Sequence, residues 1–159
     1  MKLNEYKMPD PVFKRLFRAE VILDDPWPLG EIGTGYSEIV AVRGGRFEGE
    51  INGQIMDFGG DWGLLHSGTI NIMDTRYLLK TDDGAFISIK CQGRLIMDME
   101  TMQGSDDREF LDPSEYYFRT TAEFAAGDPK YKWLNNIVAF AVTMITEEGN
   151  VCLDVYELK

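Results

Sequence analysis

Histidine occurs once in this 159-residue chain, at His66, and cysteine twice, at Cys91 and Cys152. No CxxC, HxH or HExxH spacing is present, whereas a zinc site needs several nitrogen and sulfur ligands at short, defined intervals. No metal and no cofactor is therefore expected. A Ser-His-Asp relay would have to run through His66, but Ser67 beside it falls on the opposite face of a strand and no GxSxG elbow occurs. Gly30, Gly33 and Gly35 lead into no helix, so they form no phosphate loop. Both cysteines sit inside apolar runs, where a lone thiol behaves as a small buried hydrophobe. A chain of this length folds without a disulfide staple.

Long apolar runs are missing too. None approaches the length of a membrane span, and Met1 to Asp10 lacks the apolar stretch of a secretory signal, so the expected location is the cytoplasm. Basic residues are outnumbered: 16 Lys and Arg face 27 Asp and Glu, a net charge of -11. No Lys/Arg cluster stands out, so neither nucleic acid nor an anionic membrane surface is an expected partner. Hydrophobic residues make up 44% and charged residues 27%, which suits one globular domain with one core, spanning residues 1–159.

What the chain does have is alternation. Apolar residues recur with period two almost throughout, punctuated by turn residues. Val12 to Leu23 reads as a long strand with Phe13, Phe17, Ala19, Val21 and Leu23 on one face. Asp24-Asp25-Pro26-Trp27-Pro28 should end it. Tyr36 to Val42 follows and is expected to stop at Gly44-Gly45. Phe47 to Met56 is interrupted by Asn52-Gly53, a hairpin signal. Asp61 to His66, Thr69 to Thr81, Ala85 to Met99, Tyr116 to Phe124, Asn136 to Thr146 and Val151 to Leu158 read as further strands. Asp82-Asp83-Gly84 forms a tight turn between two of them. Asp128-Pro129 opens one short helical turn. Residues 1–11 are an N-terminal extension, and residues 100–115 are polar and expected to be a mobile loop. About nine or ten strands and almost no helix suit a sandwich or a barrel. Thr69 to Thr81 carries polar residues on both faces, which favours a single antiparallel β-barrel with a ligand-holding lumen.

Several ordered motifs form a familiar series. They are Gly45-Arg46-Phe47-Glu48-Gly49, Gly60-Asp61-Trp62, Asp74-Thr75-Arg76-Tyr77 and Lys80-Thr81-Asp82-Asp83-Gly84. Tyr117-Phe118-Arg119-Thr120, Gly127 to Asn135 and Asp154-Val155-Tyr156 complete it. Over residues 12 to 158 the chain resembles the family called domain of unknown function 3237, or uncharacterised protein family 0311. The resemblance implies a single-domain β-barrel, often bacterial, and supplies no activity. Two segments depart from the family pattern. Met56-Asp57-Phe58-Gly59-Gly60 replaces a Pro-Gly-Gly-Ala type of approach to the Asp-Trp pair, and Met97 to Glu115 is unusually acidic and rich in methionine.

Within those motifs, Asp61 is the candidate general base, with Trp62 beside it. The alternative is a turn cap and a core aromatic. Asp74 and Arg76 are two apart and share a strand face. They would be ligand groups if that face is the lumen, or a plain ion pair if it is not. Arg119 shares a face with Tyr117, and a guanidinium fork beside a phenol could hold a carboxylate or enolate oxygen. Tyr131, Trp133 and Asn135 would line a pocket wall, or plug one end of the barrel.

Three functions compete. The first is a barrel that binds a small anionic or carbonyl-bearing molecule in its lumen. The second is a cofactor-free lyase or isomerase acting next to a carbonyl, with Asp61 moving the proton and Arg76 and Arg119 stabilising the enolate. The third is a structural or interaction barrel filled by its own side chains. A homodimer is compatible with edge strands and exposed aromatics.

Overall fold

The computed structural model describes residues 1–98 and 111–159. Among the described residues nine strands follow one another: β1 (Phe13–Leu23), β2 (Trp27–Glu31), β3 (Tyr36–Gly49), β4 (Gly53–Ser67), β5 (Ile70–Thr81), β6 (Phe86–Ile96), β7 (Tyr117–Ala126), β8 (Val138–Ile145) and β9 (Val151–Leu158). All pairings are antiparallel, and the sheet runs β1-β9-β8-β7-β6-β5-β4-β3-β2. An additional β1–β3 pairing, from Phe17 opposite Gly49 to Leu23 opposite Val42, closes eight strands into a barrel. The ninth, β2, lies outside the ring and pairs with the first half of β3.

Several sequence expectations change in detail. Trp27–Glu31 forms a strand although Pro26 precedes it and Pro28 lies within it, because an edge strand tolerates a missing donor. Gly44-Gly45 does not end β3. Both residues have positive φ, 139° and 135°, and they lie where one edge of β3 passes from β2 to β1 while the other stays paired with β4. The expected helical turn at Asp128 is a 3-10 turn displaced to Lys132–Asn136; the Asp128 side chain accepts from the Lys130 N–H instead. Two further 3-10 turns cover Leu3–Glu5 and Pro113–Glu115. The last lies within the segment expected to be a mobile loop, the centre of which falls outside the described residues. Residues 1–10 are exposed throughout.

Alternation sorts the side chains. On β1 a register shift between Arg15 and Phe17 puts both Leu16 and Phe17 inside and turns Phe13 out, against the single face read from sequence. Phe13 then packs edge-on against Phe140 at 5.2 Å, and Phe140 stacks on Tyr156. The lower half of the lumen is filled by Phe17, Phe47, Leu79, Ile87, Ile89 and Val155, none exposed at all. Leu134 of the 3-10 turn, 1% exposed, plugs that end with Tyr131.

The plug is latched to the β5–β6 turn. Asp83 accepts hydrogen bonds from Lys130 Nζ at 2.6 Å and Tyr131 Oη at 2.8 Å, and from the Thr81 hydroxyl. The Lys130 ammonium, then the two hydroxyls, hold the Asp83 carboxyl well below the usual carboxylate range. Its contribution to stability is thus present above the unfolded-state pKa and lost as pH falls through the folded one.

Three substitutions test this account. A Cβ at Gly45 would stand 1.9 Å from the Glu20 carbonyl oxygen, in the left-handed region. Gly45→Ala should cost at least about 1–3 kcal/mol in urea unfolding, from backbone strain alone. Gly68→Ala, where the added methyl meets nothing within 4 Å, should stay within about 0.5 kcal/mol of the parent. Asp83→Asn should lower the urea midpoint at neutral pH, with the gap to the parent narrowing as pH falls below about 4.

Candidate functional site

Directly opposed residues of antiparallel strands share a face, so the inner wall can be read round the barrel from its register. One row is Val40, Asp61, Thr75, Cys91, Ala122 and Ala139. A second holds Glu38 opposite Gly63 and Met73 opposite Gly93, then Thr120 and Ala141. Asn71, Leu95 and Phe118 lie nearer the rim, with Thr143 beside them on the inner face of β8. The first two rows are built mainly from small residues, whereas the lower half is filled by aromatic and branched ones and the rim carries a second apolar cluster of Leu95, Met97, Tyr116 and Phe118. An eight-stranded barrel is just wide enough either to fill with side chains or to hold one small ligand. Here the lower half does the first, and the upper half collects the polar residues of the inner wall.

Asp61 is the centre of that upper half. It is 7% exposed. Its Oδ1 accepts from the Thr75 hydroxyl at 2.7 Å and from the Asp74 N–H at 3.0 Å. Its Oδ2 lies over Gly63, 3.1 Å from where a Cβ would stand, with Asn71 Oδ1 on the same spot at 3.7 Å. Burial pushes the Asp61 carboxyl up, the two hydrogen bonds oppose this, and the charges of Asp74 and Glu38 add to it. Glu38, half-buried, is also raised by burial.

Around them are hydroxyl and amide groups with no full hydrogen bond: Asn71 Oδ1, Tyr77 Oη, Thr120 Oγ1 and Thr143 Oγ1. The Cys91 thiol sits beside Tyr77 and Thr120 but is only a weak partner. Burial pushes that thiol up to about 12, so it stays protonated and is no nucleophile. Both cysteines are free. Among the described residues no Lys or Arg lies on the inner face of the upper half, and no three His, Cys, Asp or Glu side chains group closely enough to hold a metal ion.

The residues singled out by sequence do not all meet. Asp61 faces the lumen. Asp74 and Arg76 lie on the even-numbered, outward face of β5, opposite Gln92 and Lys90, and the Asp74 carboxylate accepts from Gln92 Nε2 at 3.3 Å. Tyr117 and Arg119 also face outward, with the guanidinium 5.3 Å from the phenol ring. Trp62 is 49% exposed on the outer wall. It and Arg76 border a cleft of about 410 Å³ with Phe58, Leu78 and Ser88. Tyr131 and Trp133 stand at the plugged end, and Asn135 bonds both the N–H and the carbonyl of Ala126. The expected meeting of Asp61, Arg76 and Arg119 around one space is therefore corrected: the arginines point away from it, because strand alternation places them opposite Tyr77 and Thr120.

Glu38, Asn71, Thr75, Tyr77, Thr120 and Thr143 were missed. The signal for most of them lies in the Asp82-Asp83-Gly84 turn. It opposes Leu79 to Ile87 and Tyr77 to Ile89, which makes the odd-numbered face of β5 the inner one.

Relatives and solved structures fit this architecture. A UPF0311 protein of Rhodopseudomonas palustris is 31% identical over 91% of this chain and 95% of its own length. One of Clostridium acetobutylicum is 29% identical, covering 92% of this chain and 93% of that protein. The crystal structure of a β-barrel-like protein from Acinetobacter baumannii superposes with a TM-score of 0.84 at 37% identity, covering 98% of this chain and all of that one. An enzyme from Penicillium herquei shares the fold, with a TM-score of 0.73 at 18% identity, over 97% and 98% of the two chains. The family described as "Protein of unknown function (DUF3237)" matches residues 11–158, and to that family of β-barrel proteins this chain belongs.

Proposed function

We propose that the upper half of the lumen binds one small neutral molecule bearing carbonyl and hydroxyl groups. The observation that carries this reading is the set of buried polar groups lacking full partners on a wall of small residues. Such groups cost free energy unless something bonds to them. Tyr77, Thr120 and Thr143 can donate to a carbonyl oxygen, while Glu38 and Asn71 Oδ1 can accept from a hydroxyl. An anionic ligand is less well supported, because among the described residues the inner wall brings two carboxyl groups and no cation. The upward displacement of both carboxyl groups shows how poorly this space holds negative charge.

Two outcomes test the reading. Thr120→Val keeps the shape and removes an unpartnered hydroxyl. It should raise stability by about 1 kcal/mol in urea unfolding. Calorimetry against neutral hydroxyketones and phenols should find binders among them, and the same substitution should weaken the best of these about fivefold or more. No binding by any neutral member, or tighter binding by matched carboxylates, would overturn the assignment. Asp61 supplies the second outcome. With the folded pKa raised, the unfolded chain releases its proton first, so stability falls as pH rises from about 4 through the folded value. Asp61→Asn should flatten that fall and be at least as stable as the parent at neutral pH. This is the pattern of a residue kept for use rather than for stability.

A further inference from the structure

Glu38 and Asp61 stand on adjacent strands of the same inner wall. Asp61 pairs with Val40, and Glu38 pairs with Gly63, so the two carboxyl groups are diagonal neighbours with a glycine at the intervening corner. Their surroundings differ. Asp61 lies deep, with Oδ1 already accepting two hydrogen bonds and Oδ2 packed over Gly63 beside Asn71 Oδ1, free of any hydrogen bond among the described residues. Glu38 sits nearer the rim, half-buried, with no hydrogen bond or ion pair to its carboxyl group. Of two carboxyl groups close together in a poorly solvated space, one keeps its proton, and the deeper one does so more readily. The groups facing them are Asn71, Thr75 and Tyr77 from β5, Cys91 from β6 and Thr120 from β7, all neutral.

We propose that Glu38 and Asp61 form a base and acid pair that moves a proton within a neutral carbonyl compound lying over Gly63, making the protein an isomerase; this rests on the lumen binding described above. The Glu38 carboxylate takes a proton from the carbon next to the carbonyl. That C–H electron pair becomes a carbon–carbon double bond, the carbonyl π pair moves to oxygen, and the oxygen takes the proton from Asp61 Oδ2. An enol and an ionised Asp61 result. Glu38 then returns its proton to the far carbon of the conjugated enol, and the enol O–H proton goes back to Asp61. Both side chains end as they began, and the double bond has moved by one proton shift. The Tyr77 and Thr120 hydroxyls would share the developing charge on oxygen. No second carboxylate is needed for folding at the Glu38 position, whose side chain supports no neighbour, so its presence on the inner wall calls for a chemical reason.

The test uses the full chain and two simple probes. Cyclohex-3-enone should convert to the conjugated cyclohex-2-enone, followed by ultraviolet absorbance. In D2O, cyclohexanone should take up deuterium beside its carbonyl, followed by NMR. Glu38→Gln and Asp61→Asn should each slow both processes roughly 100-fold or more, with circular dichroism confirming that each variant keeps the parent fold. Glu38 lies at the rim, so its variant remains informative even if Asp61→Asn folds poorly. Binding without any conversion or uptake above heat-denatured protein would overturn the proton-transfer pair and leave the binding site standing. Conversion that Glu38→Gln leaves unchanged would also overturn the pair. No binding by either ketone, or by any other neutral carbonyl compound, would bring down both readings.

Discussion

Pairing β1 with β3 makes an inside. Without it the nine strands would be an open sheet with two equivalent faces, and nothing in a period-two pattern would say which face hides from water. Closure forces every other residue of eight strands toward one axis. The positive-φ glycines of β3 serve that closure, because the strand must meet β1 at close range while still paired with β4, and a side chain at Gly45 would collide with Glu20. The distribution of size along the axis follows from the same constraint. Large apolar side chains pack one half and stabilise it. Small ones in the other half leave polar groups of distant strands facing a shared space.

That division gives the two halves different physical roles. The packed half, with its Leu134 plug and Asp83 latch, holds the wall geometry rigid. The upper half concentrates groups that are unfavourable to bury: two carboxyl groups, three hydroxyls and an amide oxygen. A protein evolving for stability alone would replace them with valine and leucine. Their collection on one side of the lumen is the strongest mark of function in the molecule.

The all-β class, the barrel and most strand positions were legible in the sequence, because alternation and turn chemistry are local properties. Asn52-Gly53 and Asp82-Asp83-Gly84 mark hairpins wherever they occur. Asp61, which the family motifs pick out, lies buried on the inner face. What was not legible was phase. On β5 the face with Asp74 and Arg76 looked like a charged lumen, while the face with Asn71, Thr75 and Tyr77 looked unremarkable. Only the cross-strand partners decide between them, and Ile87, Ile89 and Cys91 put the second face inside. Phase on β1 was hidden for another reason: the irregularity at Leu16 shifts the alternation by one residue, and no glycine or proline announces it. Glu38 escaped notice because a glutamate early in a strand reads as a solvent-facing residue until its opposite number, Gly63, is known.

The irregularity at Leu16 also governs how the chain can vary. A one-residue deletion there would restore simple alternation to β1, but it would rotate the segment ahead of it by half a turn. Phe13 would then be driven toward the crowded end of the barrel and its contact with Phe140 would be lost. Lys14 would turn to the opposite face, and its ion pair with Glu50 would be lost. Length in this stretch is consequently under tighter restraint than residue identity, and natural variation should appear here as exchanges of side chain and not as gaps.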